Sequence, residues 1–142
     1  MTRDSTPTTF FPSAGPSDAV GDALAVGDAV ARVGFDWPDA QGALLKVEEE
    51  VQEIRAWLGR ADAHARDQLE AELGDLMFSV CMVARKLQLD PMTALERTNA
   101  KFKARFDAVA LALKAQGVEL EQASLEQMER AWEQAKRPDT EV

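Results

Sequence analysis

The sequence predicts an all-α protein, an antiparallel bundle of four to five helices. Three observations carry this. Apolar residues recur at helical spacing in successive segments, glycine or an Asp-Pro pair separates those segments, and no stretch shows the apolar-polar alternation of a half-buried strand. The connections are short, as neighbouring antiparallel helices require. At 142 residues the chain is of the size of one domain with its own core.

Residues 1–17 are rich in Thr, Pro, Ser and Gly and are expected to form a flexible tail, because they cannot bury enough apolar surface to order themselves. A first helix is expected from Asp18 to Val33, stopped at Gly34. After Phe35-Asp36-Trp37-Pro38, a second helix runs to about Leu58, with Val47, Val51, Ile54 and Leu58 on one stripe and Gly59 as its end. A third spans about Ala65 to Leu89, with Leu69, Leu73, Leu76, Val80, Val83 and Leu87 expected inward. Met77, Phe78 and Met82 lie off that stripe, so this helix is apolar on more than one face, which suits either deeper burial or a dimer interface.

Asp90-Pro91 supplies an N-cap and a first-turn proline for a fourth helix, whose core positions are Leu95, Phe102, Phe106, Val109 and Leu113. Gly117 closes it. Ser124-Leu125-Glu126-Gln127 has the capping-box pattern that opens a last helix through about Lys136. The helical domain is thus expected over residues 18–137, with a short tail at 138–142.

With 25 acidic and 16 basic residues, the formal charge of -9 disfavours nucleic-acid polymers and anionic membranes as partners. Cys81 and His64 are the only residues of their kinds, too few for a disulfide or a zinc site. Oxygen ligands remain. The weakly apolar stretch from Ala19 to Phe35 is broken by Asp22, Asp28 and Arg32, so it is neither a signal sequence nor a membrane span, and a cytoplasmic protein is expected.

The decisive feature is Glu49-Glu50-Val51-Gln52-Glu53 followed by Glu72-Leu73-Gly74-Asp75. Residues three apart share a helix face, so Glu50 with Glu53 and Glu72 with Asp75 give two paired carboxylate faces at the rims of successive helices. An isolated acidic run is commonly a solvated face. Two matched pairs that a turn can bring together are different, because four carboxylates at close range repel until a cation neutralises them. Hard oxygen ligands suit magnesium, with manganese as a substitute. Glu48 points to solvent and Glu49 is an outer member.

These residues resemble the MazG-type nucleoside triphosphate pyrophosphohydrolases of the all-α class. The likeness covers about residues 20–137. It is carried by Val33-Gly34-Phe35-Asp36-Trp37-Pro38, the acidic motifs, the run from Asn99 to Phe106, and Trp132 with Lys136. The chain looks like the C-terminal, catalytic half of the two-domain members, with no second copy of the acidic motif. The resemblance implies a helical bundle that forms a homodimer or a higher homo-oligomer and hydrolyses a nucleoside triphosphate to the monophosphate and pyrophosphate. It implies Mg2+ bound by Glu50, Glu53, Glu72 and Asp75, with Glu49 or Glu53 assisting deprotonation of water. Clearing of non-standard nucleotides is an expectation of the same kind.

Lys101 and Arg105, four apart on one flank, form a sensible phosphate clamp, whereas without the resemblance they read as an exposed basic pair. Asn99 lies near the core stripe, where an amide needs partners. The resemblance assigns Trp132 and Lys136 to the nucleotide, although a tryptophan on a short amphipathic helix also reads as core. Phe35, Asp36 and Trp37 form a rigid turn before Pro38 and are candidates for base stacking and edge recognition or, alternatively, for closing the bundle. A narrower enzyme for dUTP, dCTP or phosphoribosyl-ATP would share the acidic motifs. A non-catalytic module that binds a nucleotide or partner and uses the metal structurally would bind metal without turnover.

Overall fold

The computed structural model describes residues 10–11, 15–16 and 18–136, so the expected tails lie almost wholly outside the described residues. These residues form five α-helices, a short 3₁₀ turn and no strand. No described helix is long and apolar enough to cross a membrane. The chain divides into two compact units, Met1–Pro91 and Met92–Val142.

The first unit holds α1 (Ala19–Ala31), α2 (Ala40–Trp57) and α3 (Ala63–Lys86). Each begins at an aspartate that the sequence places one residue before it. Asp18, Asp39 and Asp62 accept hydrogen bonds from the backbone N–H of Gly21, Gly42 and Ala65, at 2.6, 3.1 and 2.8 Å. Gly34 and Gly59 take the left-handed backbone (φ +92° and +85°) that turns the chain after α1 and α2. After α3 the non-glycine Gln88 does this (φ +57°), with Leu89 N–H donating to the Ala84 carbonyl at 2.9 Å.

α2 and α3, joined by a short turn and packed together, make an antiparallel hairpin, and α1 lies on α3. On α1 the positions Val20, Ala23, Leu24 and Gly27 form the inward stripe; the first three pack on a core of Ala43, Cys81 and Met82, joined by Trp37 and Val83. A Cβ at Gly27 would stand 2.7 Å from Met82 Sδ and 2.8 Å from Arg85 Nε, so glycine is what lets α1 approach α3 this closely.

The inward face of α3 differs from the expected one. Leu73, Val80 and Leu87 are exposed (51%, 47% and 53%), while Leu69, Leu76 and Val83 are half-buried as expected. The stripe turned to α2 is Ala65, Leu69, Glu72, Leu76, Ser79 and Val83. It contains two polar residues, which is why leucine spacing alone put its centre one position too far along. α2 shows the same thing: Ala43, Val47, Glu50, Ile54 and Trp57 share one face, so Glu50 occupies a core-facing position and not a rim.

The second unit holds α4 (Pro91–Ala115), the 3₁₀ turn Leu120–Gln122 and α5 (Leu125–Lys136). Gly117 (φ +76°) ends α4 as expected. The capping box forms in both directions: Ser124 N–H donates to Gln127 Oε1 at 2.9 Å, and Gln127 N–H donates to Ser124 Oγ at 3.2 Å. Val109, Leu113 and Ala131 are buried, with Val118, Leu120, Met128 and Trp132 packed on them. The core of this unit therefore uses only the C-terminal part of α4. Leu95, Phe102 and Phe106, expected inward, are exposed at 55%, 57% and 38%.

Candidate metal centre

The helical hairpin brings the two acidic motifs together in register. At the turn Trp57 meets His64 edge to face, with ring centroids 5.5 Å apart. Seven residues back along α2 and eight forward along α3 stand Glu50 and Glu72, whose side chains are within hydrogen-bonding reach. Ligand oxygens of Glu50, Glu72 and Asp75 all lie within 4.8 Å of one another. Glu50 is buried at 6% exposure, Glu72 is half-buried and Asp75 is exposed. The trio thus has a floor between the helices and an open side toward solvent.

Glu53, expected as a fourth ligand, is exposed and stands outside this trio, one turn nearer the end of α2. Its charge still reaches the site. Burial pushes the Glu72 carboxyl above its ordinary 4.5, and the hydrogen bond with Glu50 and the charges of Glu53, Glu50 and Asp75 push it the same way. Three crowded oxygen donors, one of them buried, are the donor set a hard divalent cation takes. The residues therefore fit a metal ion.

Ser79, one turn after Asp75 on α3, is buried, and its hydroxyl donates to the Asp75 carbonyl at 2.9 Å, so it is satisfied within its own helix. Glu49 is exposed. Lys46, one turn before both glutamates, places Nζ 3.2 Å from Glu49 Oε1 and 3.1 Å from Glu50 Oε1. Hydrogen bonding to Glu50 and then Glu49 holds the Lys46 ammonium above its ordinary 10.5, which keeps it charged. Lys46 escaped notice in the sequence, although its spacing of four from Glu50 was there to be read.

Residues 39–110 match the MazG nucleotide pyrophosphohydrolase domain, half of the chain and all of both acidic motifs. The chain belongs to the MazG family. A nucleoside triphosphate pyrophosphohydrolase/pyrophosphatase MazG from Thermotoga maritima is 37% identical over 108 residues, covering 76% of this chain and 40% of that protein. A nucleoside triphosphate pyrophosphohydrolase from Escherichia coli strain K12 is 37% identical over 112 residues, covering 79% and 42%. An uncharacterized protein of Bacillus subtilis, YabN, is 39% identical over 79 residues, 56% of this chain and 16% of its own length. The chain spans about two fifths of the length of the first two relatives.

Elsewhere in the first unit, Asp36 is fixed by cations 49 and 50 residues away. Arg85 hydrogen-bonds Asp36 Oδ1, Lys86 Nζ lies 3.1 Å from Oδ2, and Arg85 also reaches Asp28 at 3.7 Å. The Arg85 guanidinium, above all, holds the Asp36 carboxyl below its ordinary 3.8. Asp36 Oδ1 also accepts from Trp37 N–H at 2.8 Å. Trp37 is half-buried against Ala43, Cys81 and Met82, the bundle-closing placement, whereas Phe35 is 78% exposed. Cys81 is buried, and burial pushes its thiol up, as befits a small apolar residue.

In the second unit, Asn99 and Lys101 are exposed and Arg105 is half-buried on α4. Asn99, expected near the core, is exposed, because the buried cluster of this unit takes its α4 residues from Val109 onward. Trp132 is half-buried, its ring 4.9 Å from that of Phe102, and Lys136 lies 3.5 Å from Glu133 on α5.

Proposed function

We propose that this MazG chain hydrolyses nucleoside triphosphates to nucleoside monophosphate and pyrophosphate with Mg2+, or Mn2+ in its place, held by Glu50, Glu72 and Asp75. The observation that carries this is the approach of these three carboxylates to within 4.8 Å around the buried Glu50, inside the segment that matches the pyrophosphohydrolase domain. An ion there supplies neutralisation of the phosphate oxygens and activation of water. Glu53 completes the acidic wall, and either it or Glu49 takes the proton from the attacking water. The names of the relatives support the reaction class.

Lys101 and Arg105 are assigned to the phosphates, where an ammonium and a guanidinium match oxygen-rich groups. Asn99, Phe35, Trp37, Trp132 and Lys136 are assigned to the nucleoside on the strength of the resemblance. Of the aromatics, Phe35 is the freest to stack on a base, whereas Trp37 is packed on the core of the first unit and Trp132 on that of the second. The proposed location is the cytoplasm, whose reducing conditions suit a lone thiol. Removal of non-standard nucleotides is the proposed role.

The test is turnover of a panel of standard and modified ribo- and deoxynucleoside triphosphates with Mg2+ and with a chelator. Mg2+-dependent cleavage is expected, and the ranking of substrates separates a broad enzyme from a narrow one. Metal binding without turnover on any nucleotide would replace this reading with that of a binding module.

A homodimer belongs to the same proposal. Leu73, Met77, Val80 and Leu87 form one exposed apolar stripe along α3, of the kind that a second copy covers. Sedimentation velocity is expected to give twice the 15.6 kDa chain mass. A monomer at micromolar concentration would refute this part.

A further inference from the structure

The buried Glu50 has a cation of its own. Lys46 sits one turn earlier on α2, with Nζ shared between Glu50 Oε1 at 3.1 Å and Glu49 Oε1 at 3.2 Å. Lysine placed before glutamate is the less favourable order for an i, i+4 pair on a helix, so helix stabilisation alone is a weak reason for it. The two glutamates also differ. The Glu49 side chain is 59% exposed and would be solvated without help, whereas the Glu50 side chain is 7% exposed and faces Glu72 and Asp75. A buried carboxylate beside two others needs a positive charge near it.

We infer that Lys46 is the resident counter-ion of the metal-free site, and that metal loading is an exchange in which the incoming divalent cation takes Glu50 while Lys46 keeps Glu49. This rests on the proposed metal site at Glu50, Glu72 and Asp75. The exchange needs no new partner for the ammonium, since Glu49 already lies within ion-pair distance. In the empty site Lys46 keeps Glu50 oriented and limits repulsion among the carboxylates. In the loaded site that same charge opposes the metal, so Lys46 sets how weakly the ion is held before nucleotide arrives.

The test is Mn2+ binding to the full chain without nucleotide, followed through the electron paramagnetic resonance signal of free Mn2+. A parallel readout is the rise in melting temperature with added Mn2+, which reports the same affinity by mass action. Lys46→Met is expected to bind Mn2+ about threefold to fivefold more tightly than the native chain, the upper end of the range for an exposed ion pair. Lys46→Gln, which keeps a polar group without the charge, should tighten likewise and covers the case in which the methionine variant folds poorly. Lys46→Arg, which keeps the charge, should stay within about threefold of native by the same reasoning. Unchanged or weaker Mn2+ binding in both uncharged variants would overturn the exchange and leave the metal site standing. No saturable Mn2+ binding by the native chain would overturn both.

Discussion

Glu50→Gln is expected to lower Mg2+-dependent pyrophosphate release by about 10²-fold or more while the protein stays folded. An amide is a much poorer ligand for a hard cation than a carboxylate, and about 3 kcal/mol of lost transition-state stabilisation corresponds to that factor. Stability should change little, for two opposed reasons. The variant loses the ion pair with Lys46, but it also removes one of the charges that push the Glu72 carboxyl up. Lys46 retains Glu49 as a partner. Steady-state rates and thermal melts of the same preparations check both halves. A variant that is fully active would remove Glu50 from the site, and one that is unfolded would make its role structural.

The second large effect is on stability. Met82 is 1% exposed and lies where α1, α2 and α3 meet, against Ala43, Cys81, Val20 and Leu24. Met82→Ala is expected to cost about 2–5 kcal/mol, because the lost contacts leave a cavity that three helices cannot close together. That corresponds to a fall in melting temperature on the order of 10 °C. Leu111→Ala, at a position 69% exposed, should stay within about 0.5–1 kcal/mol and serves as the control. Differential scanning calorimetry decides between them. Equal losses at the two positions would mean that the core has been drawn in the wrong place.

The helices and their ends were legible in the sequence because the signals are local. The glycines at 34, 59 and 117 turn the chain as expected, and the capping box at Ser124 forms with both hydrogen bonds. The meeting of the acidic motifs was legible too, since a hairpin of two helices with carboxylates at matched distances from the turn has few other ways to place them. Depth was not. Glu50 and Glu72 lie on the stripes shared by the two helices, whereas the leucines of α3 centre one position away and leave such residues at the rim.

Leu73, Val80 and Leu87 show the complementary limit, since apolar periodicity identifies a face but not what covers it. The same holds for Leu95 and Phe102 on α4. The clasp of Arg85 and Lys86 on Asp36 joins positions about fifty apart in sequence and has no local signature at all. It nevertheless fixes the loop that carries Trp37 into the core, so the turn before α2 is held by charges as well as by packing.

The most direct test of the proposed chemistry is phosphorus NMR of the products formed from a nucleoside triphosphate and Mg2+ by the native chain, with Glu50→Gln beside it. Equal amounts of nucleoside monophosphate and pyrophosphate from the native chain, and almost none from the variant, are expected. Nucleoside diphosphate with inorganic phosphate, or equal product from both proteins, would contradict the assignment of pyrophosphate release to the carboxylates of the α2–α3 hairpin.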